Sequence, residues 1–187
     1  CWCKSGVDNT CNKRFNSGFG ELPYGYDHKY VYSHFGYNLK ATEMQAAIGC
    51  GQLEKLSTFI EVRRKNWNLL KCGLSDLSDK FILPEETLNS EPSWFGFLLT
   101  TKKEAGFTRN DIVAHLEFVN IQTRMLFAGN LIKHPCFDEM RYSGKGFRVV
   151  GDLETTDRIM RDTFWIGVYP GMTDVMVGFI IEQIKEF

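Results

Sequence analysis

The chain has 187 residues, of which 43% are hydrophobic, 24% charged and 14% aromatic, and its formal net charge at pH 7 is −1. That length can bury a substantial core, and the aromatic share argues against a disordered chain. The balanced charge argues against a nucleic-acid or membrane partner, and no apolar run approaches the roughly 18 residues that cross a bilayer. We expect a soluble, cytoplasmic globular protein.

The first 40 residues are poor in regular periodicity. The chain begins at Cys1 without a signal peptide, so we expect it to be the C-terminal portion of a longer protein. Glycines and a proline predict a loop over residues 1–27. His28, Tyr30, Tyr32 and His34 alternate, which predicts a strand over residues 28–34.

A long helix is predicted next. Thr42 and Gln45 have the spacing of a capping box, and Gly73 is a C-terminal stop. Apolar residues recur at helical spacing between them, so one helix of roughly 45 Å is expected, long enough to link two domains. The inward positions are Met44, Ala47, Ile48, Leu53, Leu56, Ile60, Trp67 and Leu70.

The remaining chain alternates between strand and helix patterns. Strands are predicted over 93–101, 121–123 and 164–169, and helices over 108–119, 153–162 and 173–187. The last helix is expected to turn Met176, Phe179, Ile180 and Ile184 inward. The order favours an α/β fold with a small, mostly antiparallel sheet covered by helices, of the α+β kind.

Three of the six cysteines are clustered near the start of the chain. Cys1, Cys3 and Cys11 fit an iron–sulfur cluster, although a [2Fe–2S] cluster ordinarily takes four thiolates. Zinc is an alternative, although its cysteine pairs are usually two to four residues apart, and buried thiols that pack as apolar groups are another. We favour a metal site at these three residues.

The same segment carries a family resemblance. The thiol cluster, the run Tyr26-Asp-His-Lys-Tyr30 and the run Gly36-Tyr-Asn-Leu-Lys40 resemble the CDP-4-keto-6-deoxyglucose 3-dehydrase family of lipopolysaccharide O-antigen biosynthesis. The runs over 123–130 and 164–171 are similar as well. The stretch from Gly36 to Leu53 resembles the wider DegT/StrS sugar aminotransferases, whereas the three cysteines mark the iron–sulfur enzymes among them.

The resemblance implies a fold and an activity. The fold is that of aspartate aminotransferase, with residues 1–40 as the tail of the large cofactor domain and 41–187 as the small α/β domain. The implied enzyme is a lyase that uses pyridoxamine phosphate, related to pyridoxal phosphate, and a [2Fe–2S] cluster to remove the 3-hydroxyl of a nucleotide-linked 4-keto-6-deoxysugar. An NADH-dependent iron–sulfur flavoprotein reductase and a second copy in a homodimer are the implied partners.

Candidate site residues come from the resemblance and from side-chain chemistry. The resemblance places Asn38 at the cofactor phosphate, and Lys40 is expected at the same phosphate. Arg124 is expected at the substrate diphosphate because of its rigid fork of donors, and Trp94, Phe95 and His134 are candidates for contact with the sugar or its nucleotide. A turn asparagine, a solvated lysine, a surface ion pair and core aromatics are the alternatives. The catalytic base and the fourth cysteine are expected upstream of Cys1, so no base is assigned here and the isolated chain is expected to be inactive.

Two other functions stay open at this stage. The first is an ordinary pyridoxal-phosphate sugar aminotransferase whose cysteines are incidental. The second is a non-catalytic module for metal binding or dimerisation. A histidine at the position of the aminotransferases' Schiff-base lysine, in the upstream sequence, would favour the dehydrase.

Overall fold

The computed structural model describes residues 14–187, apart from Ser33 and Asn38. The chain divides into two compact units, Cys1–Ala47 and Ile48–Phe187. The boundary between the two units lies near the predicted domain limit at residue 40. The assignment of the first unit to a cofactor domain and of the second to a small α/β domain stays a prediction.

The first unit contains turns where a strand was predicted. Residues His28–Tyr30 form a single 3-10 turn, closed by the Tyr30 N–H donating to the Asp27 carbonyl at 3.0 Å. Arg14 pairs with Asp27 at 2.9 Å. The strand prediction over 28–34 was therefore wrong for the described part of that segment, because alternation forms a strand only beside a pairing partner.

The capping box is confirmed. The Thr42 N–H donates to Gln45 Oε1 at 2.9 Å, and the Gln45 N–H donates to Thr42 Oγ1 at 3.3 Å. Helix α1 follows over Glu43–Leu53, and its side chains are largely exposed, including the inward positions predicted there.

The single long helix is observed as two helices. After α1, the chain makes a turn at Glu54 and Lys55, where the Lys55 N–H donates to the Gln52 carbonyl, and helix α2 then spans Leu56–Gly73. Gly49 and Gly51 lie in the last turns of α1, and glycine weakens a helix by about 1 kcal/mol per residue, which explains the interruption.

The sheet has four antiparallel strands. They are β1 (Phe81–Ile82), β2 (Gly96–Thr101), β3 (Thr123–Met125) and β4 (Thr163–Gly167), in the spatial order β1-β2-β4-β3. Trp165 on the central strand β4 pairs with Leu98 of β2 on one side and with Arg124 of β3 on the other. The predicted small antiparallel sheet is confirmed; β2 and β4 are shorter than predicted, β3 begins two residues later than predicted, and β1 was not predicted.

One face of the sheet carries the core. Helices α2, α3 (Arg109–Phe118) and α6 (Asp174–Glu186) pack on the face that β2 and β4 build from Phe97, Leu99, Phe164 and Ile166. Side chains alternate along a strand, so the same two strands present their other residues on the opposite face. Short helices α4 (Asp138–Ser143) and α5 (Glu154–Asp162) connect β3 to β4.

Helices α3 and α6 begin at the predicted positions, and a threonine caps each of them. Thr108 caps α3 in a capping box with Asp111, and Thr173 caps α6 by accepting from the Met176 N–H at 3.2 Å. In α6, Ile184 is buried as predicted, but Met176 and Phe179 are each 43% exposed and Val177 takes the core position instead. The predicted inward face of α6 was therefore partly wrong, because the strands beneath the helix, rather than the helix itself, decide which of its residues are covered.

None of the helices in the described part of the chain is both long and apolar enough to cross a membrane.

The core predicts a contrast between two neighbours on α2. Leu70 is fully buried and Leu69 is 38% exposed. We expect Leu70→Ala to lower the free energy of unfolding by about 2–5 kcal/mol, because it leaves a cavity, and Leu69→Ala to lower it by about 0.5 kcal/mol or less. Urea unfolding followed by tryptophan fluorescence measures both. Equal losses would mean that Leu70 does not lie in the core.

Candidate substrate-binding face

Several predicted residues fall outside what the structure describes. Cys1, Cys3, Cys11 and Asn38 are among them, so their metal and cofactor roles stay predictions. Lys40 is described: it is exposed and lies two residues before the capped start of α1. Within residues 14–32, 34–37 and 39–187, no group of three or more His, Cys, Asp or Glu side chains is placed to hold a metal ion.

The sheet face opposite the core brings a cation and aromatic rings together. Arg124 and Trp165 are directly opposite each other on β3 and β4, so their side chains share this face. Phe95 meets Trp165 edge-on, with ring centroids 5.2 Å apart and an interplanar angle of 75°. The ring of Phe127 is tilted relative to that of Trp165, with ring centroids 6.4 Å apart and an interplanar angle of 47°. We call Phe95, Arg124, Phe127 and Trp165 the aromatic face.

Gly96 makes room for the central ring of this face. A Cβ atom at Gly96 would lie 2.7 Å from Cε3 of Trp165. The indole N–H of Trp165 donates to the Met125 carbonyl at 3.0 Å, which fixes the orientation of the ring across the sheet. Close packing below and a hydrogen bond at the edge therefore hold Trp165 in one position.

Trp94 lies on the other side of the sheet from its neighbour Phe95. Its ring stacks on the buried Trp67, with centroids 4.5 Å apart and an angle of 6°, and it packs against the core. This contact supports the alternative of a core aromatic at Trp94. The substrate role stays a prediction for both residues, and Phe95 is the one of the two that lies on the aromatic face.

A carboxylate holds the segment that follows β3. Asp157 on α5 accepts from Asn130 Nδ2 at 2.7 Å and from Lys133 Nζ at 2.6 Å. The Lys133 ammonium first, and the Asn130 amide second, lower the pKa of the Asp157 carboxyl below its usual range. Residues 126–134 are thereby tied to α5.

His134 closes the same segment on itself. Its Nε2 lies 2.6 Å from the Ala128 carbonyl oxygen, so this ring nitrogen is engaged within the segment. Arg141 adds a bond to the Ile132 carbonyl from α4. The position is half-buried, and the observed contact is one that shapes the loop, while contact with substrate remains a prediction for His134.

A second carboxylate anchors the start of β3. Glu117 Oε1 accepts from the Thr123 N–H at 2.6 Å and from Thr123 Oγ1 at 2.7 Å. The hydroxyl of Thr123, followed by its backbone N–H, lowers the pKa of Glu117, with a smaller contribution from Arg124. Glu117 therefore holds the backbone of the residue that immediately precedes Arg124.

The sequence reasoning missed Phe127 and Trp165. Trp165 alternates with the buried Phe164 and Ile166, and this two-residue period alone would have placed it on the second face of the strand. Phe127 carries no comparable signal, because it lies in a loop. A cavity of about 320 Å³ adjoins it, lined by residues 126–129, Leu131, Thr156 and Ile159.

The small antiparallel sheet with covering helices agrees with the small α/β domain that the family resemblance implies. The sequence matches the DegT/DnrJ/EryC1/StrS aminotransferase family over residues 10–185. The chain belongs to this family.

Two characterised relatives are similar to this chain over its entire length. A dTDP-4-dehydro-2,6-dideoxy-D-glucose 3-dehydratase of Saccharopolyspora spinosa is 51% identical over all 187 residues, which cover 39% of that protein. The lipopolysaccharide biosynthesis protein RfbH of Salmonella typhimurium is also 51% identical over 187 residues, 42% of its length. The chain thus spans about two fifths of these relatives.

A solved structure has the same fold. A GDP-4-keto-6-deoxymannose-3-dehydratase, crystallised as a mutant with GDP-perosamine, superposes with a TM-score of 0.73 at 28% identity, over 84% of this chain and 39% of that one. The predicted aminotransferase-like fold is confirmed by this similarity.

The Asp157 contacts predict a pH-dependent segment. A lowered folded pKa means that the contact stabilises the fold above the unfolded value of about 3.9 and is lost as the pH falls through the folded value. We expect Asp157→Asn to lower the amide protection factors of residues 126–134 at pH 7, as a fall in pH through the folded pKa does in the unmodified chain; a protection factor is corrected for the intrinsic exchange rate at each pH. Hydrogen–deuterium exchange measures this.

The matched control is Glu154→Gln, at an exposed carboxylate on the same helix. It should leave exchange in residues 126–134 unchanged. Equal protection in the Asp157→Asn variant and the unmodified chain would contradict the role of Asp157.

Proposed function

We propose that this chain is the C-terminal part of a dehydrase that removes the 3-hydroxyl of a nucleotide-linked 4-keto-6-deoxyhexose in 3,6-dideoxysugar biosynthesis. The observation that carries the proposal is the 51% identity, over every residue of the chain, to a 3-dehydratase and to a lipopolysaccharide biosynthesis protein. A CDP-linked sugar is the first substrate to test, because of the family resemblance. The relatives' own names specify dTDP- and GDP-linked sugars.

The aromatic face gives the substrate a place to bind. A guanidinium has a rigid fork of donors that matches the oxygens of a phosphate, so Arg124 would bind the diphosphate. Phe95, which is 56% exposed, would lie against the sugar or its nucleotide. Glu117 would help to keep Arg124 in position by holding the backbone of Thr123, and Asp157 would hold the side chains of Asn130 and Lys133 in the segment that follows.

A vitamin B6 cofactor belongs to the proposal. A related GDP-4-keto-6-deoxy-D-mannose-3-dehydratase was crystallised with bound hydrated PLP. Lys40 fits a phosphate by its charge and its exposure beside the start of α1, and Asn38 would add an amide donor. When bound, pyridoxamine phosphate supplies an electron sink for loss of the hydroxyl group.

The three clustered thiols belong to the proposal as well. Thiolates are the ordinary ligands of a [2Fe–2S] cluster, and Cys1, Cys3 and Cys11 would supply three of the four. The cluster supplies single electrons, which an NADH-dependent iron–sulfur flavoprotein reductase would deliver. A homodimer in the cytoplasm completes the proposal.

The full-length protein that contains this chain tests the reaction. Purified anaerobically and supplied with pyridoxamine phosphate, NADH and the reductase, it should convert CDP-4-keto-6-deoxyglucose to the 3-deoxy product, and the 187-residue chain alone should not. Amination of the sugar with glutamate and no loss of the 3-hydroxyl would instead indicate an aminotransferase. Neither reaction, with metal bound, would indicate a non-catalytic module.

The cysteines allow a matched comparison within one chain. We expect replacement of Cys1, Cys3 and Cys11 by serine to abolish the electron spin resonance signal of the reduced cluster and at least about 99% of turnover, because the iron loses its thiolates. The same replacement of the exposed cysteines Cys50, Cys72 and Cys136 should retain both. Undiminished deoxygenation by the variant that lacks Cys1, Cys3 and Cys11 would contradict the iron–sulfur cluster, and so would stoichiometric zinc in a colourless unmodified protein.

Arg124 predicts a defect in substrate binding. Because lysine cannot present two parallel donors to a diphosphate, Arg124→Lys should raise KM for the nucleotide sugar by about tenfold, equivalent to roughly 1.4 kcal/mol, with a smaller effect on kcat. Arg158→Lys, at an exposed arginine on α5, is the control. Steady-state kinetics measure KM and kcat for both variants. A KM for Arg124→Lys equal to that of the unmodified protein would exclude Arg124 from the substrate-binding site.

A further inference from the structure

Phe127 leaves most of its ring uncovered beside a fixed aromatic neighbour. It is 73% exposed, although it is a large apolar residue and its centroid lies 6.4 Å from that of Trp165. Burial therefore does not explain the side chain. An exposed ring next to an anchored indole gives a planar ligand a surface on which to stack.

The backbone of Phe127 is strained. Its φ is +47°, in the left-handed region that bulky residues rarely adopt. The Phe127 N–H donates to the Met125 carbonyl at 2.7 Å, which makes a three-residue turn. The Trp165 indole N–H donates to the same carbonyl, so one acceptor fixes both the turn and the neighbouring ring.

These two observations point to a ligand. A strained residue persists only where surrounding contacts hold it, and such residues concentrate at binding sites. Here the strain presents a ring to solvent and gains no core packing. Arg124 is directly opposite Trp165 in the strand register, so its cationic side chain leaves the same face of the sheet. The expected ligand therefore has a flat ring joined to an anionic group.

Building on the proposed function, we propose that Phe127 is a specificity-determining residue that stacks on the base of the nucleotide-linked sugar, with Trp165 supporting its ring and Arg124 on the diphosphate. Stacking uses the π-face that all bases share. Phe127 would thus distinguish a nucleotide-linked sugar from a sugar phosphate without selecting strongly among cytosine, thymine and guanine.

Calorimetric titration of the full-length protein tests this inference with CDP, and with inorganic pyrophosphate as a probe without a base. Phe127→Leu removes the ring and should weaken CDP binding by about 5- to 150-fold, the range for stacking on one aromatic ring. Pyrophosphate binding should be unchanged, whereas Arg124→Lys should weaken both. Phe118→Leu, at an 85% exposed phenylalanine on α3, is the matched control and should weaken neither.

A second variant separates ligand binding from folding. Asparagine tolerates the left-handed backbone, so Phe127→Asn should weaken CDP binding as Phe127→Leu does, while its Tm equals or exceeds that of the unmodified protein. A lower Tm or a changed oligomeric mass with undiminished CDP binding would overturn the inference, because the ring would then serve packing or assembly.

The outcomes also separate this inference from the proposed function. If the unmodified protein turns over the nucleotide sugar and Phe127→Leu binds CDP equally tightly, only the stacking role is overturned. If the unmodified protein binds none of CDP, TDP and GDP and catalyses no dehydration, the proposed function fails, and the stacking role fails with it.

Discussion

The antiparallel pairing of β4 with β2 and β3 is the constraint on which the rest of the second unit depends. The register fixes Phe164 and Ile166 toward the core and turns Trp165 to the opposite face, beside Leu98 and Arg124. A shift of β4 by one residue would exchange its two faces, exposing Phe164 and Ile166 and turning Trp165 toward the core. Stability and the candidate site therefore depend on the same set of backbone hydrogen bonds.

A small number of polar contacts then shape the segment between β3 and α5. Glu117 holds the backbone of Thr123 at the start of β3, Asp157 binds the side chains of Asn130 and Lys133, and the Met125 carbonyl accepts from both Phe127 and Trp165. The contacts of Asp157 and Trp165 link residues far apart in the chain, whereas residues 126–130 have no regular structure of their own. A binding surface built this way depends on the scaffold around it, which is common for functional loops.

The accuracy of the sequence predictions varied with the kind of signal. The capping box at Thr42 and the predicted helix starts at 108 and 173 were confirmed, because a cap is a local interaction that the next three residues complete. The uninterrupted helix over 42–73 was wrong, since the apolar periodicity continued past Gly49 and Gly51, which lie in the last turns of α1. The strand over 28–34 was wrong for the described part of that segment, because alternation does not provide a pairing partner.

By itself, the sequence determined the family, the order of most helices and strands in the second unit, and the candidate residues Arg124 and Phe95, because these follow from motifs and local periodicity. Only the tertiary structure placed Trp94 on Trp67, on the opposite side from Phe95, and gathered Phe127 and Trp165 beside Arg124. The physical reason is that strand register and loop anchoring join residues up to about 70 positions apart in the chain, and no local pattern records which of them will meet.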